Sequence, residues 1–124
     1  YNKLNCTNKI NFIECDLIKN YEYFDIVVSN PPYLSELEYT HIEPEMLLYE
    51  PKIALLASDK GFEFYTKISH ILPNILHNYS KVFIEIGSSQ RVKAINIFKS
   101  NQINCLEVVN DINNLNRVLI LNKS

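Results

Sequence analysis

Glycine is scarce in this chain: among 124 residues there are only two, Gly61 and Gly87, and there is no tryptophan. Loops that cradle phosphates or dinucleotides need closely spaced glycines, because a side chain would keep the backbone away from the ligand. The two glycines here are far apart, so these residues contain no glycine-rich loop. We therefore expect the usual glycine cradle of a cofactor to lie outside this chain.

Excess basic charge and long apolar runs are also missing. The chain has 12 Lys and Arg against 14 Asp and Glu, with a formal net charge of -2 and a pI near 5.9. This balance disfavours nucleic acid and anionic membranes as partners. No apolar run approaches the roughly 20 residues that cross a bilayer. The polar first residues predict no signal peptide, and the absence of a starting methionine predicts a piece of a longer polypeptide.

Cysteine is present in an odd number, three, at Cys6, Cys15 and Cys105. Their spacing fits neither a zinc site nor a disulfide framework, and His41, His70 and His77 add no metal-binding pattern. We therefore expect no metal and reduced cysteines in a cytoplasmic protein. Cys15 and Cys105 lie in apolar runs, which predicts that both are buried.

Strands and helices alternate along the rest of the chain. The segments with strand-like composition are Ile10–Cys15, Phe24–Ser29, Lys81–Ile86, Asn104–Val109 and Arg117–Leu121. Helical spacing predicts helices over Phe62–Asn78, where Pro73 is expected to introduce a kink, and over Gln90–Ser100. This alternation is typical of an α/β fold with a largely parallel sheet. The last two strands, joined by a short turn, are expected to form an antiparallel hairpin.

Two of these segments carry more specific expectations. Phe24–Ser29 is almost continuously apolar, which is typical of a central strand buried on both faces. The glutamate-rich stretch from Leu34 to Ser58 is interrupted by prolines and predicts a long loop with short helical turns.

The segment Asn30-Pro31-Pro32-Tyr33 follows that apolar strand directly. In an α/β sheet, ligands bind beyond the carboxyl ends of the strands, where this loop emerges. The side-chain carbonyl of Asn30 and a main-chain carbonyl of the Pro-Pro segment can accept both hydrogens of a planar NH2 group. The prolines fix these acceptors in advance, and Tyr33 offers a ring that stacks on the planar group. The residues therefore suit methylation of an amide or base nitrogen, although the same tetrapeptide also forms ordinary turns.

For two charged residues, both a functional and a structural role are considered. Glu85, at the end of a predicted strand, either approaches a cofactor or caps the next helix. Arg117 is expected to pair with Asp111 rather than with a ligand.

Around this tetrapeptide the sequence resembles the HemK/PrmC family of protein-(glutamine-N5) methyltransferases, which modify peptide chain release factors. The resemblance runs from about Ile13 to the end of the chain. Its motifs are Asp16-Leu17, Phe24 to Tyr33, Tyr49-Glu50-Pro51-Lys52-Ile53-Ala54-Leu55, Asp59 to Tyr65, Glu85-Ile86-Gly87-Ser88-Ser89-Gln90, and Asp111 to Val118. The tetrapeptide alone is shared with adenine-N6 and cytosine-N4 methyltransferases of nucleic acid, whereas the Glu-Pro-x-x-Ala-Leu and Glu-x-Gly-x-x-Gln motifs are much more specific.

The resemblance implies a class I, Rossmann-like fold that uses S-adenosylmethionine. The substrate would be the glutamine in the Gly-Gly-Gln loop of a release factor. Asn30, Pro31, Pro32 and Tyr33 would bind that glutamine, with Asn30, Pro31 and Tyr33 serving catalysis. Asp16, Leu17 and Asn30 would lie beside the cofactor.

Measured against that family, the chain lacks two strands. The class has the sheet order 3-2-1-4-5-7-6, and this chain supplies strands three to seven without strands one and two. Its first strand would have no neighbour and its central strand would become an edge. The glycine-rich loop and the helical substrate-docking domain of the family are also missing. We therefore expect residues 1–124 to be the C-terminal portion of a single catalytic domain, inactive alone; a nucleic-acid methyltransferase or a non-catalytic remnant are the alternatives.

Overall fold

The computed structural model describes residues 10–17 and 22–124 of the chain, and these contain one four-stranded mixed sheet. The strands are β1 (Phe24–Ser29), β2 (Leu76–Glu85), β3 (Ile103–Asn110) and β4 (Asn116–Lys123). They lie in the order β1-β2-β4-β3, with β1 parallel to β2 and β4 antiparallel to both its neighbours. This order matches strands 4-5-7-6 of the class I methyltransferase sheet. The α/β fold and the terminal hairpin are confirmed.

Within residues 10–17 and 22–124, six helices accompany the strands. They are α1 (Glu36–Tyr39), α2 (Pro44–Tyr49), α3 (Lys52–Leu55), α4 (Ser58–Gly61), α5 (Glu63–Ile75) and α6 (Arg91–Ser100). The three short helices α1, α2 and α3 confirm the predicted loop with helical turns, and α4 begins at its last residue, Ser58. The predicted helix over residues 62–78 runs too far, because β2 begins at Leu76. None of the helices in the described ranges is long and apolar enough to cross a membrane.

The core lies between the sheet and the two longer helices. Along α5 the buried residues recur at helical spacing, and along β2 and β4 they alternate, as each element requires when one side faces the core. The buried core residues of these elements are Tyr65, Ile68, Leu72 and Ile75 on α5, Ala94 and Phe98 on α6, and Leu76, Val82, Ile84, Leu119 and Leu121 on the strands. The opposite face of the sheet is more open: Val28 lies there beside the half-buried Phe83 and Ile120.

Strand β1 is an edge strand, so the expectation of a central strand buried on both faces is wrong. Within the described residues it pairs with β2 alone. Ile26 is 62% exposed and Val28 is 75% exposed. The structure thus agrees with the expectation that this strand becomes an edge when strands one and two are missing. The strand has the apolar sequence of a central strand, although in the described residues it has a paired neighbour on one side only.

The predicted strand over Ile10–Cys15 is also wrong. These residues have no regular structure, and each of them is exposed. A strand is stabilised by a paired neighbour, and nothing in the described ranges pairs with this segment. As a consequence Cys15 is exposed instead of buried, whereas Cys105 is half-buried. Cys6 lies outside the described residues.

Candidate functional site

The segment Asn30–Tyr33 leaves the sheet at the carboxyl end of β1. Its preceding residue, Ser29, is still in register with Ile84 of β2. Pro31 is buried and anchors the segment, Pro32 and Tyr33 are half-buried, and Asn30 is exposed. The prolines supply no N–H donors for pairing, so the ladder stops here. Asn30 is therefore exposed at the end of the sheet, while the next residue, Pro31, is fixed in the interior.

The chain after Tyr33 is tied down by backbone hydrogen bonds. Leu34 N–H donates to the carbonyl of Leu55 at 3.0 Å, and Ala57 N–H donates to the carbonyl of Leu34 at 2.9 Å. Ser35 then caps α1, because its hydroxyl accepts from the backbone N–H of Glu38. We refer to residues 30–33, which lie between β1 and the hydrogen bonds of Leu34, as the amide loop.

The ring of Tyr33 is oriented by a carboxylate. The Tyr33 hydroxyl donates to Oε1 of Glu85 at 3.0 Å, from the loop to the end of β2. Burial, and after it this hydrogen bond, raises the pKa of Tyr33 above its ordinary value, while Arg117 acts in the opposite direction. The phenol is therefore a hydrogen-bond donor at neutral pH. Neither role considered for Glu85 from the sequence included this contact.

Arg117 pairs with Asp111, as predicted. The Nη2 and Nε atoms of Arg117 donate to Oδ2 of Asp111 at 2.9 Å and 3.2 Å. The other oxygen, Oδ1, accepts from the backbone N–H groups of Asn113 and Leu115. This arrangement closes the turn between β3 and β4, next to Glu85 and the amide loop.

Gln90 is a residue that the sequence analysis did not assign to the site. Its side chain is 5% exposed. Nε2 donates to the carbonyl of Tyr33 at 2.8 Å, and Oε1 accepts from the hydroxyl of Tyr65 at 2.8 Å and from Gly87 N–H at 3.1 Å. Leaving such buried partners without a hydrogen bond costs about 1–3 kcal/mol each. The sequence signal was the motif from Glu85 to Gln90, which marks the family without indicating the contact.

A cleft of about 800 Å³ begins where the amide loop ends. Its walls come from the residues after the loop, from the segment before α5 and from the turn before α6. The lining residues are Ser35, Glu36, Leu37, Glu38, Leu56, Ala57, Ser58, Asp59, Lys60, Phe62, Ser89 and Gln90. Three carboxylates against one lysine make the lining acidic.

A second, smaller pocket of about 260 Å³ lies beside β1. It is formed by Leu17, Cys15, residues 27–29 of β1 and the apolar side of α5. An apolar slot of this kind suits a flat aromatic ring such as adenine. Leu17 lines it, and the role predicted for Leu17 stays a prediction. No carboxylate lines it, and Asp16 is exposed and does not line it. The pocket would therefore suit the apolar end of S-adenosylmethionine, and its lining contains no charged side chain for the remainder.

The histidines of the described residues make local contacts. The Nδ1 atoms of His41 and His70 lie within hydrogen-bond distance of the carbonyls of Leu37 and Thr66, respectively. The ring of His77 stacks on neighbouring tyrosines. Within residues 10–17 and 22–124, no three His, Cys, Asp or Glu side chains gather where they could hold a metal ion.

Comparison with known proteins finds methyltransferases among the relatives of this chain, although no protein-family model matches it. The chain is 36% identical over 125 residues to the release factor glutamine methyltransferase of Fusobacterium nucleatum, covering 98% of this chain and 35% of that protein. It is 35% identical over 123 residues to that of Thermodesulfovibrio yellowstonii, covering 98% of this chain and 44% of that protein. A bifunctional methyltransferase of Rickettsia typhi is 36% identical over 119 residues, which is 94% of this chain and 23% of that protein. The chain thus spans less than half the length of these relatives.

Proposed function

The chain belongs to the family of release factor glutamine methyltransferases, and we propose that it carries the substrate-binding part of such an enzyme. The reaction would place a methyl group from S-adenosylmethionine on the side-chain nitrogen of the glutamine in the Gly-Gly-Gln loop of a release factor. The observation that carries this proposal is the exposed Asn30 on a loop fixed by Pro31 within it and by the hydrogen bonds of Leu34 after it.

The amide loop would prepare the glutamine nitrogen for attack. In a free amide the nitrogen lone pair is delocalised into the carbonyl, so the nitrogen is a poor nucleophile. The Asn30 side-chain oxygen and a loop carbonyl would accept the two N–H groups and favour the pyramidal nitrogen that the reaction requires. Tyr33, with its hydroxyl held by Glu85, would present its ring to the planar amide. S-adenosylmethionine, when bound, supplies the electrophilic methyl group.

The cleft beside the loop supports a polypeptide substrate. It starts at Ser35, immediately after Tyr33, so a chain whose glutamine lies at Asn30 could continue into it. Glu36, Glu38 and Asp59 line this cleft. Nucleic acid would have to bring its phosphates against these carboxylates, which opposes binding. The acidic lining therefore favours a release factor over DNA or RNA as the substrate.

The chain would share cofactor binding with residues elsewhere in the enzyme. The pocket beside Leu17 would take the adenine ring, with Asp16 and Asn30 near the cofactor. The methionine part would be held by the family's glycine-rich loop, which these 124 residues do not contain, and the ribose by the acidic residue that follows the family's second strand. We propose that residues 1–124 correspond to the C-terminal portion of the catalytic domain, acting in the cytoplasm.

The test is methyl transfer by the full-length protein to an intact release factor, followed by mass spectrometry of the Gly-Gly-Gln peptide. We expect the wild-type protein to add one methyl group to the glutamine. Asn30→Ala should lower kcat on the order of 100-fold, because a preorganised partner of the reacting group is lost. Asn96→Ala, which removes an exposed asparagine on α6, is the matched control and should leave kcat unchanged.

Two outcomes would contradict the proposal. Methylation of DNA or RNA with no methylation of the release factor would show a nucleic-acid methyltransferase instead. Transfer to neither substrate would favour a non-catalytic remnant.

A further inference from the structure

The two glycines of the chain border the same side chain. A Cβ atom on Gly61 would lie 2.3 Å from the carbonyl oxygen of Tyr33 and 2.6 Å from Nε2 of Gln90. A Cβ atom on Gly87 would lie 2.8 Å from Oε1 of Gln90. Gly61 also has φ +90°, in the left-handed region that favours glycine. Both positions therefore leave space for the amide of Gln90 and for the Tyr33 carbonyl.

The contacts of Gln90 require an amide and not merely a side chain of that size. One end must donate, because its partner is the Tyr33 carbonyl. The other end must accept, because its partners are the Tyr65 hydroxyl and the Gly87 N–H. Burial raises the pKa of Tyr65 well above its ordinary value, so this hydroxyl remains a donor. The two ends of the Gln90 amide cannot exchange without losing the hydrogen bonds to the Tyr33 carbonyl and from the Gly87 N–H.

These contacts connect the amide loop to the rigid part of the fold. Tyr65 lies on α5 within the core and Gly87 follows β2, while the Tyr33 carbonyl is the last backbone oxygen of the loop. The hydroxyl of the same Tyr33 is held separately by Glu85. The last residue of the loop is thus fixed at its backbone by Gln90 and at its side chain by β2.

We propose that Gln90 is a positioning residue for methyl transfer, which fixes the Tyr33 carbonyl and thereby the geometry of the Asn30–Tyr33 loop around the substrate amide. The inference rests on the proposed function of that loop. Gln90 itself touches neither Asn30 nor Pro31 through a hydrogen bond in the structure; it acts through Tyr33.

The test uses Gln90→Glu, which keeps the shape of the side chain and removes its N–H donor. The ionised carboxylate of this variant would place an oxygen against the Tyr33 carbonyl, and we expect kcat to fall about 10- to 100-fold from the misplaced loop. KM for S-adenosylmethionine should stay near the wild-type value. A protonated carboxyl can donate to the Tyr33 carbonyl, and burial raises the pKa of such a group. The activity of the variant relative to wild type should therefore recover as the pH is lowered.

The controls separate positioning from general instability. Gln102→Glu makes the same chemical change at an exposed position after α6 and should alter neither kcat nor its pH profile. Tyr65→Phe removes one partner of Oε1 and keeps the aromatic ring in the core, so it should lower kcat less than Gln90→Glu. If Gln90→Glu shows wild-type kcat, or loses activity equally at every pH, the positioning role is overturned.

A second measurement does not depend on catalysis. In 15N NMR spectra of the chain, Gln90→Glu should shift the side-chain amide of Asn30 and the backbone amide of Leu34, whereas Gln102→Glu should not. Unchanged loop resonances would overturn the inference even in an active enzyme. If the wild-type protein methylates no release factor, the proposed function fails, and the NMR spectra alone decide whether Gln90 holds the loop.

Discussion

Asp111 and Arg117 illustrate how single side chains hold the hairpin that closes the sheet beside the candidate site. Asp111 accepts from two backbone N–H groups of its own turn and from the guanidinium of Arg117. The hydrogen bond from Leu115, followed by the one from Arg117, lowers the pKa of Asp111 below its ordinary value. A carboxyl whose pKa is lowered by folding stabilises the folded state above its ordinary pKa, and this stabilisation is lost as the pH falls through the lowered value.

Asp111→Asn tests this at the residue scale, because asparagine keeps an oxygen for the turn and removes the charge. We expect the variant to have a lower free energy of unfolding than wild type at neutral pH. The difference should shrink below pH 4 or so, near the ordinary pKa of about 3.9, as the wild-type carboxyl becomes protonated. Urea denaturation of wild type and variant across this pH range measures the free energy of unfolding of each. Glu107→Gln, which changes an exposed carboxylate on β3, serves as the control. If Asp111→Asn and wild type differed in free energy of unfolding by the same amount at neutral pH and at acidic pH, the role of the charge would be contradicted.

Strand β1 is the element whose sequence and environment disagree. Its apolar residues fit the interior of a sheet, yet in this chain Ile26 and Val28 are exposed at the edge. An exposed apolar edge strand offers unpaired backbone groups to another chain and promotes association. Pairing on its other side, with β2, is regular from Ile26 to Ser29, so the strand is well formed and one edge remains open.

Val28→Lys tests the open edge. A lysine at an edge strand opposes pairing with a second chain, so this variant should associate less than wild type in sedimentation velocity experiments over a range of concentrations. Val92→Lys is the matched control, because Val92 is 71% exposed on α6, away from the edge. Equal association of Val28→Lys and wild type, or an equal reduction by Val92→Lys, would show that β1 is not the surface involved.

At the scale of the whole molecule, the proposed function assigns only part of a binding site to this chain. The amide loop, the acidic cleft and the apolar slot beside Leu17 lie in the described residues, whereas the sequence contains no glycine-rich loop. The relatives from Fusobacterium nucleatum and Thermodesulfovibrio yellowstonii are more than twice as long as the segment they share with this chain.

Isothermal titration with S-adenosylmethionine tests this division. We expect the 124-residue chain alone to show no binding in the micromolar range, because a mostly apolar slot with no charged side chain in its lining discriminates poorly and binds weakly. The full-length protein, titrated under the same conditions, is the control and should bind. Micromolar binding by the chain alone would contradict the proposal that it depends on residues elsewhere.

Many of the helices and strands could be predicted from the sequence, because their formation depends on local periodicity. The apolar spacing of α5 and the alternation in β4 predicted these elements to within about three residues, whereas β2 begins five residues before the predicted Lys81. The strand over Ile10–Cys15 failed for a non-local reason, since the same alternating residues form a strand only where a neighbour pairs with them. The burial of β1 failed for the same reason.

The sequence by itself determined the family, the α/β class, the terminal hairpin and the position of the Asn30–Tyr33 segment after a strand. The functional roles assigned to that segment stay predictions. Tertiary structure decided what holds the segment: Glu85 on the Tyr33 hydroxyl and Gln90 on the Tyr33 carbonyl. These contacts join residues more than 50 positions apart in the sequence. Their donors and acceptors carry no periodic signal, so only the folded chain shows that both of its glycines make room for one glutamine.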